Sequence, residues 1–284
     1  MKISGTLLAK ELFKEIQKKV EKLKKNEIVP RLIIVKSCDT EAVNKYVSSK
    51  IKKGKEMGID VQIIEFSEQI LSDRKQLVQS INRLNKSQNI HGIIFQKPGD
   101  DRIDESLEKY IAPIKDVDGF LSNTKHEPPT YRGVKLVFSQ IYGKKLFNEL
   151  KKKQFVIIGK GKTGGKPIID GLLKDKINTK NIKIIDSKTS ISNKNNFIKN
   201  ADIIISAVGM QNPVDVRLFS KEKILIDIGV HFDNNNKIMP DFDEKDIQER
   251  VGYYTTTPGG IGALTVAFLM DNVVNSALLI HNKN

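Results

Sequence analysis

Four polar side chains in the first half of the chain are of the types and at the positions that proton chemistry uses. Tyr46 and Lys50 stand at i and i+4 within a helical pattern, so one helix face presents both. An amine held partly out of water has a lowered pKa and can shuttle protons near neutrality. A phenol one turn away can hydrogen-bond that amine or a substrate. Gln96 closes the apolar run His91-Gly-Ile-Ile-Phe-Gln96, where an amide at a strand end suits ligand contact or capping equally. Lys115-Asp116-Val117-Asp118-Gly119-Phe120 sets two carboxylates close together just past a helix. The same composition also reads as a plain turn rich in Asp and Gly.

The second half carries a different chemistry. Phe155-Val-Ile-Ile-Gly159-Lys160-Gly161-Lys162-Thr163-Gly164 runs from a buried strand into G-x-G-x-x-G, and a helical pattern starts near Gly165. Glycines permit a tight turn and close backbone approach, and a helix N-terminus offers free N–H groups to a pyrophosphate. The nucleotide-triphosphate loop is excluded, because Gly165-Lys166 is followed by Pro167 instead of a hydroxyl residue. Asp186 ends the next strand about 20 residues past the third glycine, where an acid bonds the adenosine ribose of NAD. Ser187, Lys188 and Lys160 favour the 2′-phosphate of NADP instead, so the residues leave the cofactor open.

Elements to hold these groups are readable from periodicity. Leu8, Leu12, Ile16, Val20 and Leu23 repeat at helical spacing. Strands are expected over 31–36, 61–66 and 92–96, with helices over 41–57, stopped by Gly58, over 74–86 and over 105–114. Residues 120–135, with Pro128, Pro129 and Gly133, read as a linker, followed by a helix over 134–141. A second series of strands is expected over 155–159, 182–186, 202–208 and 224–229, and a last apolar helix over 264–280. Short apolar strands alternating with helices imply parallel sheets. The fold class is α/β: two α/β lobes with an intervening cleft, the second a Rossmann-type lobe.

Composition narrows the function. The chain has 284 residues, 39% hydrophobic and 29% charged, as in ordinary globular proteins. One cysteine, Cys38, excludes a disulfide framework or a Cys-based zinc site within the chain, and no metal is expected. The net charge of +14 raises nucleic-acid binding, but the basic runs near Lys18 and Lys24 are interleaved with Glu15 and Glu21. Aromatics are 6% with no Trp, which leaves little for base stacking. The charge reads as solvated faces, with some attraction for an anionic substrate. No targeting segment is read at the N-terminus, no apolar run reaches membrane-spanning length, and the cytoplasm is the expected compartment.

Taken in order, these pieces resemble the bifunctional methylenetetrahydrofolate dehydrogenase/cyclohydrolase family. The matches are Tyr46-Val-x-x-Lys50, Gly92-Ile-Ile-Phe-Gln96-x-Pro98, Lys115-Asp-Val-Asp118-Gly-Phe120 and Gly159 through Pro167. Ala201-Asp202-Ile, Ala207-Val208-Gly209, Ile226-Asp227-Ile-Gly229, and Pro258-Gly259-Gly260-Ile-Gly262 with Thr265 and Asn272 complete them.

The resemblance implies oxidation of 5,10-methylenetetrahydrofolate with NADP, or with NAD, and hydrolysis of the methenyl product to 10-formyltetrahydrofolate. It implies that Lys50 is the catalytic lysine, Gln96 its hydrogen-bond partner, Tyr46 a folate-stacking residue and Asp118 the acid on the pterin edge. Pro98, Pro258, Gly259, Gly260 and Thr265 join the substrate site. Gly159, Lys160, Gly161, Gly164, Asp186, Ser187, Val208, Gly209 and Gly229 form the cofactor site. It also implies a folate-binding catalytic domain over 1–122 completed by the helix 265–284, a connecting segment over 123–145, a Rossmann-type domain over 146–264, and a homodimer. No nucleic-acid or membrane partner is expected.

The sequence departs from the family's patterns in several places. Thr40-Glu41-Ala42-Val43 replaces Asp-Pro-Ala-Ser, and Gln96-Lys97-Pro98-Gly99 replaces Gln-Leu-Pro-Leu. Pro128-Pro129-Thr130-Tyr131 replaces Pro-Cys-Thr-Pro, Gly159-Lys160-Gly161 replaces Gly-Arg-Ser, Asp186 replaces a His, and Asn123 is one place off the usual asparagine. The proton-handling residues are kept and the phosphate-side ones altered. Two alternatives therefore stand beside the main reading: a cyclohydrolase with a degenerate cofactor site, and a basic nucleic-acid-binding protein.

Overall fold

A computed structural model describes the chain except for Pro98, Asp104 and residues 234–236 and 283–284. β1 (Lys2–Ile3) and α1 (Gly5–Lys24) open it. β2 (Arg31–Val35), α2 (Glu41–Met57), β3 (Asp60–Ile64), α3 (Glu68–Leu71), α4 (Arg74–Lys86), β4 (Gly92–Phe95) and α5 (Glu105–Glu108) follow. After α6 (Pro129–Tyr142) and α7 (Leu146–Leu150) come β5 (Phe155–Ile158), α8 (Gly165–Lys174), β6 (Ile182–Ile185), α9 (Ile191–Asn200), β7 (Ile203–Ser206) and β8 (Ile224–Asp227). The hairpin β9 (Val230–Phe232) and β10 (Ile238–Pro240), then α10 (Glu244–Ile247), β11 (Tyr253–Thr255) and α11 (Ile261–His281), end it.

The chain packs as two compact units, Lys10–Pro129 with Val266–Asn284, and Met1–Ala9 with Thr130–Thr265. The first holds a parallel three-stranded sheet in the order β3-β2-β4. β2 and β4 are almost wholly buried, and Leu32, Ile34 and Ile94 pack with Ile16, Val20, Val43, Val47, Leu269, Met270 and Val273 in one core. The other face carries a second core with Ile33, Ile93, Leu77, Ile81 and Leu107. The second unit holds a six-stranded parallel sheet in the order β1-β11-β8-β7-β5-β6. β5, β7 and β8 are buried along their length, as continuous apolar runs in a two-sided parallel sheet should be.

Local chemistry explains the element ends. Thr40 caps α2 by accepting from the Val43 N–H at 3.3 Å. Gly58 ends the same helix in the left-handed region at φ 76°. Asp73 caps α4 on the N–H groups of Lys75 and Gln76.

Several expectations are corrected. The helix expected over 105–114 stops at Glu108, because Asn85 takes over the following backbone. Its amide donates to the Tyr110 carbonyl at 2.6 Å and accepts from the Ala112 N–H at 2.9 Å. The linker ends earlier than expected, since Pro129 opens α6 at the one helical position that needs no N–H. The strands of both series are shorter than their apolar runs. β1, β11 and the β9–β10 hairpin, two or three residues each, carry too little periodicity to be read at all.

α11 is long and apolar enough to cross a membrane by composition, contrary to the expectation that no segment was. Its residues are core: Leu264, Ala267, Met270, Val273, Val274 and Ala277 are fully buried. Its polar members are hydrogen-bonded inward, Asp271 to the Lys19 ammonium at 2.7 Å and Ser276 to the Ile114 carbonyl.

Candidate active site

In the first unit, α2 buries Val43 and Val47, and Tyr46 and Lys50 lie half-buried at the edge of that face. The Lys50 ammonium donates to Gln96 Oε1 at 2.6 Å. Gln96 is buried just past β4, and its Nε2 donates to the Lys97 carbonyl at 2.7 Å, which fixes the amide with its oxygen toward the lysine. Burial lowers the Lys50 pKa, and the charge of Asp118 opposes that shift. Lys50, Gln96 and Asp118, far apart in sequence, therefore form one electrostatic group. Burial raises the Tyr46 pKa, so its phenol stays protonated. Pro98 lies outside the described residues.

The two acids of the Asp-Val-Asp segment divide the labour that the sequence left open. Asp116 is the turn former: it is buried, and its carboxylate accepts from the N–H groups of Gly119, Phe120 and Leu121. Asp118 is left half-exposed beside the lysine. Asn272, on α11, donates to the carbonyls of Val117 at 2.8 Å and Glu127 at 3.1 Å, pinning the backbone next to Asp118. Lys115 is not a site residue; its buried ammonium caps the carbonyls of Leu84, Asn85 and Ser87 at the end of α4.

In the second unit, the glycine turn lies at the carboxyl end of β5, between β6 and β7, where the sheet reverses direction of growth. Gly159 has φ 90°, and a Cβ there would stand 2.7 Å from the Ala207 carbonyl oxygen and from Val208 Cγ1. Gly165 is equally required, since its Cβ would meet the Gly159 oxygen at 2.0 Å. By sequence alone Gly165 reads only as the helix start. Gly161 faces open space. The N-terminus of α8 has no side-chain cap; the Lys166 N–H donates to the Gly161 carbonyl at 3.0 Å, and Pro167 has no N–H.

Lys160 and Asp186 form an ion pair at 2.7 Å across this turn. Asp186 also accepts from the Lys188 N–H and the Thr189 hydroxyl, and the Lys160 ammonium foremost holds its pKa down to about 2. Ser187 and Lys188 are exposed beside it. A cleft of about 490 Å³ lined by Ile191, Lys194, Asn212, Pro213, Val214 and Asp215 lies in the same unit. Val208 is exposed and Gly209 sits at φ 65°. Gly229 is buried with no room for a side chain, since Asp241 fills that space.

The late glycine loop belongs to the second unit as well. Pro258 is exposed, and Gly259 has φ 92° and accepts through its carbonyl from the Thr6 N–H at 2.9 Å. Gly5 has no space for a Cβ, which would lie 2.0 Å from the Gly260 oxygen. The Thr265 hydroxyl donates to the Ile261 carbonyl at 3.0 Å. Gly5 and Thr6 were invisible as site neighbours because only the fold brings them to Gly259.

A turn built for a dinucleotide in one unit, and a buried amine with an amide and an acid in the other, define a class: an α/β oxidoreductase with its own acid–base centre. The family comparison is specific. Residues 3–118 match the tetrahydrofolate dehydrogenase/cyclohydrolase catalytic domain, and residues 129–281 match the NAD(P)-binding domain of the same family. The bifunctional protein FolD of Rickettsia typhi is 34% identical over 96% of each chain. The crystal structure of the bifunctional FolD enzyme from Campylobacter jejuni superposes with a TM-score of 0.86 at 29% identity, covering 98% of both chains. That of the Trypanosoma brucei enzyme, complexed with NADP and an inhibitor, gives 0.84 at 24% identity over 98% of this chain and 97% of the other. This chain belongs to the tetrahydrofolate dehydrogenase/cyclohydrolase family. Its second half is an NAD(P)-binding domain and its substrate is a folate.

Proposed function

We propose that this chain catalyses both reactions for which its family is named, with Lys50 as the proton-handling group of the hydrolysis. The observation that carries the assignment is the 2.6 Å contact of a half-buried lysine with an oriented glutamine amide. Burial keeps a fraction of the amine neutral, and a neutral amine is what the second reaction needs.

Oxidation of 5,10-methylenetetrahydrofolate comes first. A bound dinucleotide supplies the hydride acceptor. The residues that fit it are Gly159, Lys160, Gly161 and Gly164 with the uncapped α8 N-terminus at the pyrophosphate, and Val208 and Gly209 beside it. Asp118 takes the pterin edge, whose paired N–H donors match two carboxylate oxygens. Tyr46 stacks on the folate near the reacting carbon, and Pro258, Gly259 and Gly260 supply backbone that a flat ring can approach closely. Holding the rings at near-attack distance is worth on the order of 7–11 kcal/mol.

Hydrolysis follows on the methenyl cation. Water adds to the bridging carbon, and the neutral Lys50 amine accepts its proton. The carbon–N5 bond of this adduct then breaks: the added hydroxyl gives up its proton to become the formyl oxygen, N5 takes a proton, and 10-formyltetrahydrofolate is left. Gln96 orients the amine, and general base help of this kind is worth about 10²–10⁴-fold.

NADP is the cofactor in this reading. The Asp186 carboxylate, the group that would repel a 2′-phosphate, is neutralised by Lys160, and Ser187 and Lys188 stand exposed beside it. The enzyme is read as a cytoplasmic homodimer.

The test is Lys50→Met, followed by decay of methenyltetrahydrofolate absorbance. Hydrolysis is expected to fall to the uncatalysed rate while folate binding, by fluorescence titration, stays largely intact. Hydrolysis at the wild-type rate in that variant overturns the assignment.

A further inference from the structure

Asp241, directly after β10, is fully buried, and no cofactor motif includes it. Its carboxylate nonetheless holds the turn that follows β7. Oδ2 accepts from the Ser206 hydroxyl at 2.5 Å and from the Val208 N–H at 3.2 Å. Oδ1 accepts from the Met210 N–H at 2.9 Å. The Asp241 carbonyl accepts from the Asn212 N–H at 2.7 Å. One residue therefore sets the backbone from Ser206 to Asn212.

That backbone is the wall of the glycine turn. The space where a Gly159 side chain would be is filled by the Ala207 carbonyl and Val208, and Gly164 would meet Ala207 at 3.0 Å. The carboxylate can reach the turn because position 229 has no side chain, whose Cβ would lie 2.0 Å from Asp241 Oδ2. Burying a carboxylate is costly unless donors surround it. A fold that needed only a β-turn here could be built without one.

We propose that Asp241 is a positioning residue for the dinucleotide. Its carboxylate fixes the Ser206–Met210 turn so that Val208 and Gly209 meet a cofactor lying on the Gly159–Gly165 turn. The inference rests on the assignment of that glycine turn as the dinucleotide site.

The experiment compares wild type with Asp241→Asn and Ser206→Ala. The readouts are NADPH affinity by fluorescence titration, and KM and kcat of the dehydrogenase. Asp241→Asn turns one acceptor into a donor facing N–H or O–H groups, and is expected to weaken NADPH binding and raise the KM for NADP roughly tenfold or more. Ser206→Ala removes one donor and is expected to raise the same KM about threefold. The KM for methylenetetrahydrofolate and the methenyl hydrolysis rate stay within about twofold in both. A lowered melting temperature with the NADP KM unmoved shows a merely structural acid and overturns the proposal. If Asp241→Asn does not fold, Ser206→Ala decides by the same criterion.

Amide hydrogen exchange of the wild-type protein, with and without NADPH, separates the underlying assignment. Absent protection over 159–165 removes the dinucleotide site from this turn, and the proposal with it. Protection there, with both variants binding normally, removes the role of Asp241 alone.

Discussion

Lys50 is pulled two ways: burial lowers its pKa below 10.5, and the nearby Asp118 charge raises it. As a base it acts only when neutral, so the hydrolysis rate at saturating folate should climb with pH through a midpoint below that of an ordinary amine. Removing the acid removes the raising influence of the two, so Asp118→Asn should move the midpoint to still lower pH. An unmoved midpoint in the pH–rate profile would show that the carboxylate charge does not reach the amine. At the cofactor end, Asp186→Ser frees Lys160 from its ion pair and leaves no carboxylate at that position to oppose a 2′-phosphate. The KM for NADP should fall about tenfold, the effect of one additional charge-assisted hydrogen bond. A KM that does not fall would place the phosphate elsewhere. Lys50, Gln96 and Asp118 were named because the family patterns kept them, whereas the turn-forming duty of Asp116 was not legible. Two like residues on one turn differ only in what surrounds them, three N–H groups in one case and a lysine in the other.

The elements that carry these groups are held at their ends. Thr40 caps the helix that presents Lys50, and Thr40→Ala should destabilise the protein by about 1 kcal/mol in urea titrations. A loss near zero would mean that another group serves the Val43 N–H. The N-terminus of α8 has no side-chain cap, and its Lys166 N–H is held by the Gly161 carbonyl instead. Periodicity located α2 and α4 to the residue because each has an apolar stripe bounded by a polar cap. It overran on 105–114, where the competing influence was Asn85, a side chain distant in sequence that takes two backbone groups for itself.

Across a whole unit, buried charge governs the response to pH. Asp227, 1% exposed, has its carboxyl pushed up to about 8 by burial and by the Asp241 charge. A carboxyl whose folded pKa lies above its unfolded value near 3.8 contributes stability that is present in acid and lost as pH rises through about 8. Asp227→Asn, which mimics the protonated form, should therefore gain stability relative to wild type between about pH 5 and about pH 9, measured by denaturant melts. A constant difference across that range would mean that the carboxyl titrates normally. The same unit shows why the N-terminus matters to it: β1 pairs with β11, and Gly5 lets the chain pass against Gly260.

The amino-acid sequence alone determined the alternation of strands and helices, the glycine turn and the family, because apolar period, breakers and ordered motifs are local signals. It also named, one by one, the amine, amide and acid proposed for the hydrolysis. Only the tertiary structure decided that Lys160 pairs with Asp186 and that Asp241 supports the turn at Val208. Those pairings depend on crossover connections and on the depth at which each charge is buried. Neither is written into any short stretch of residues.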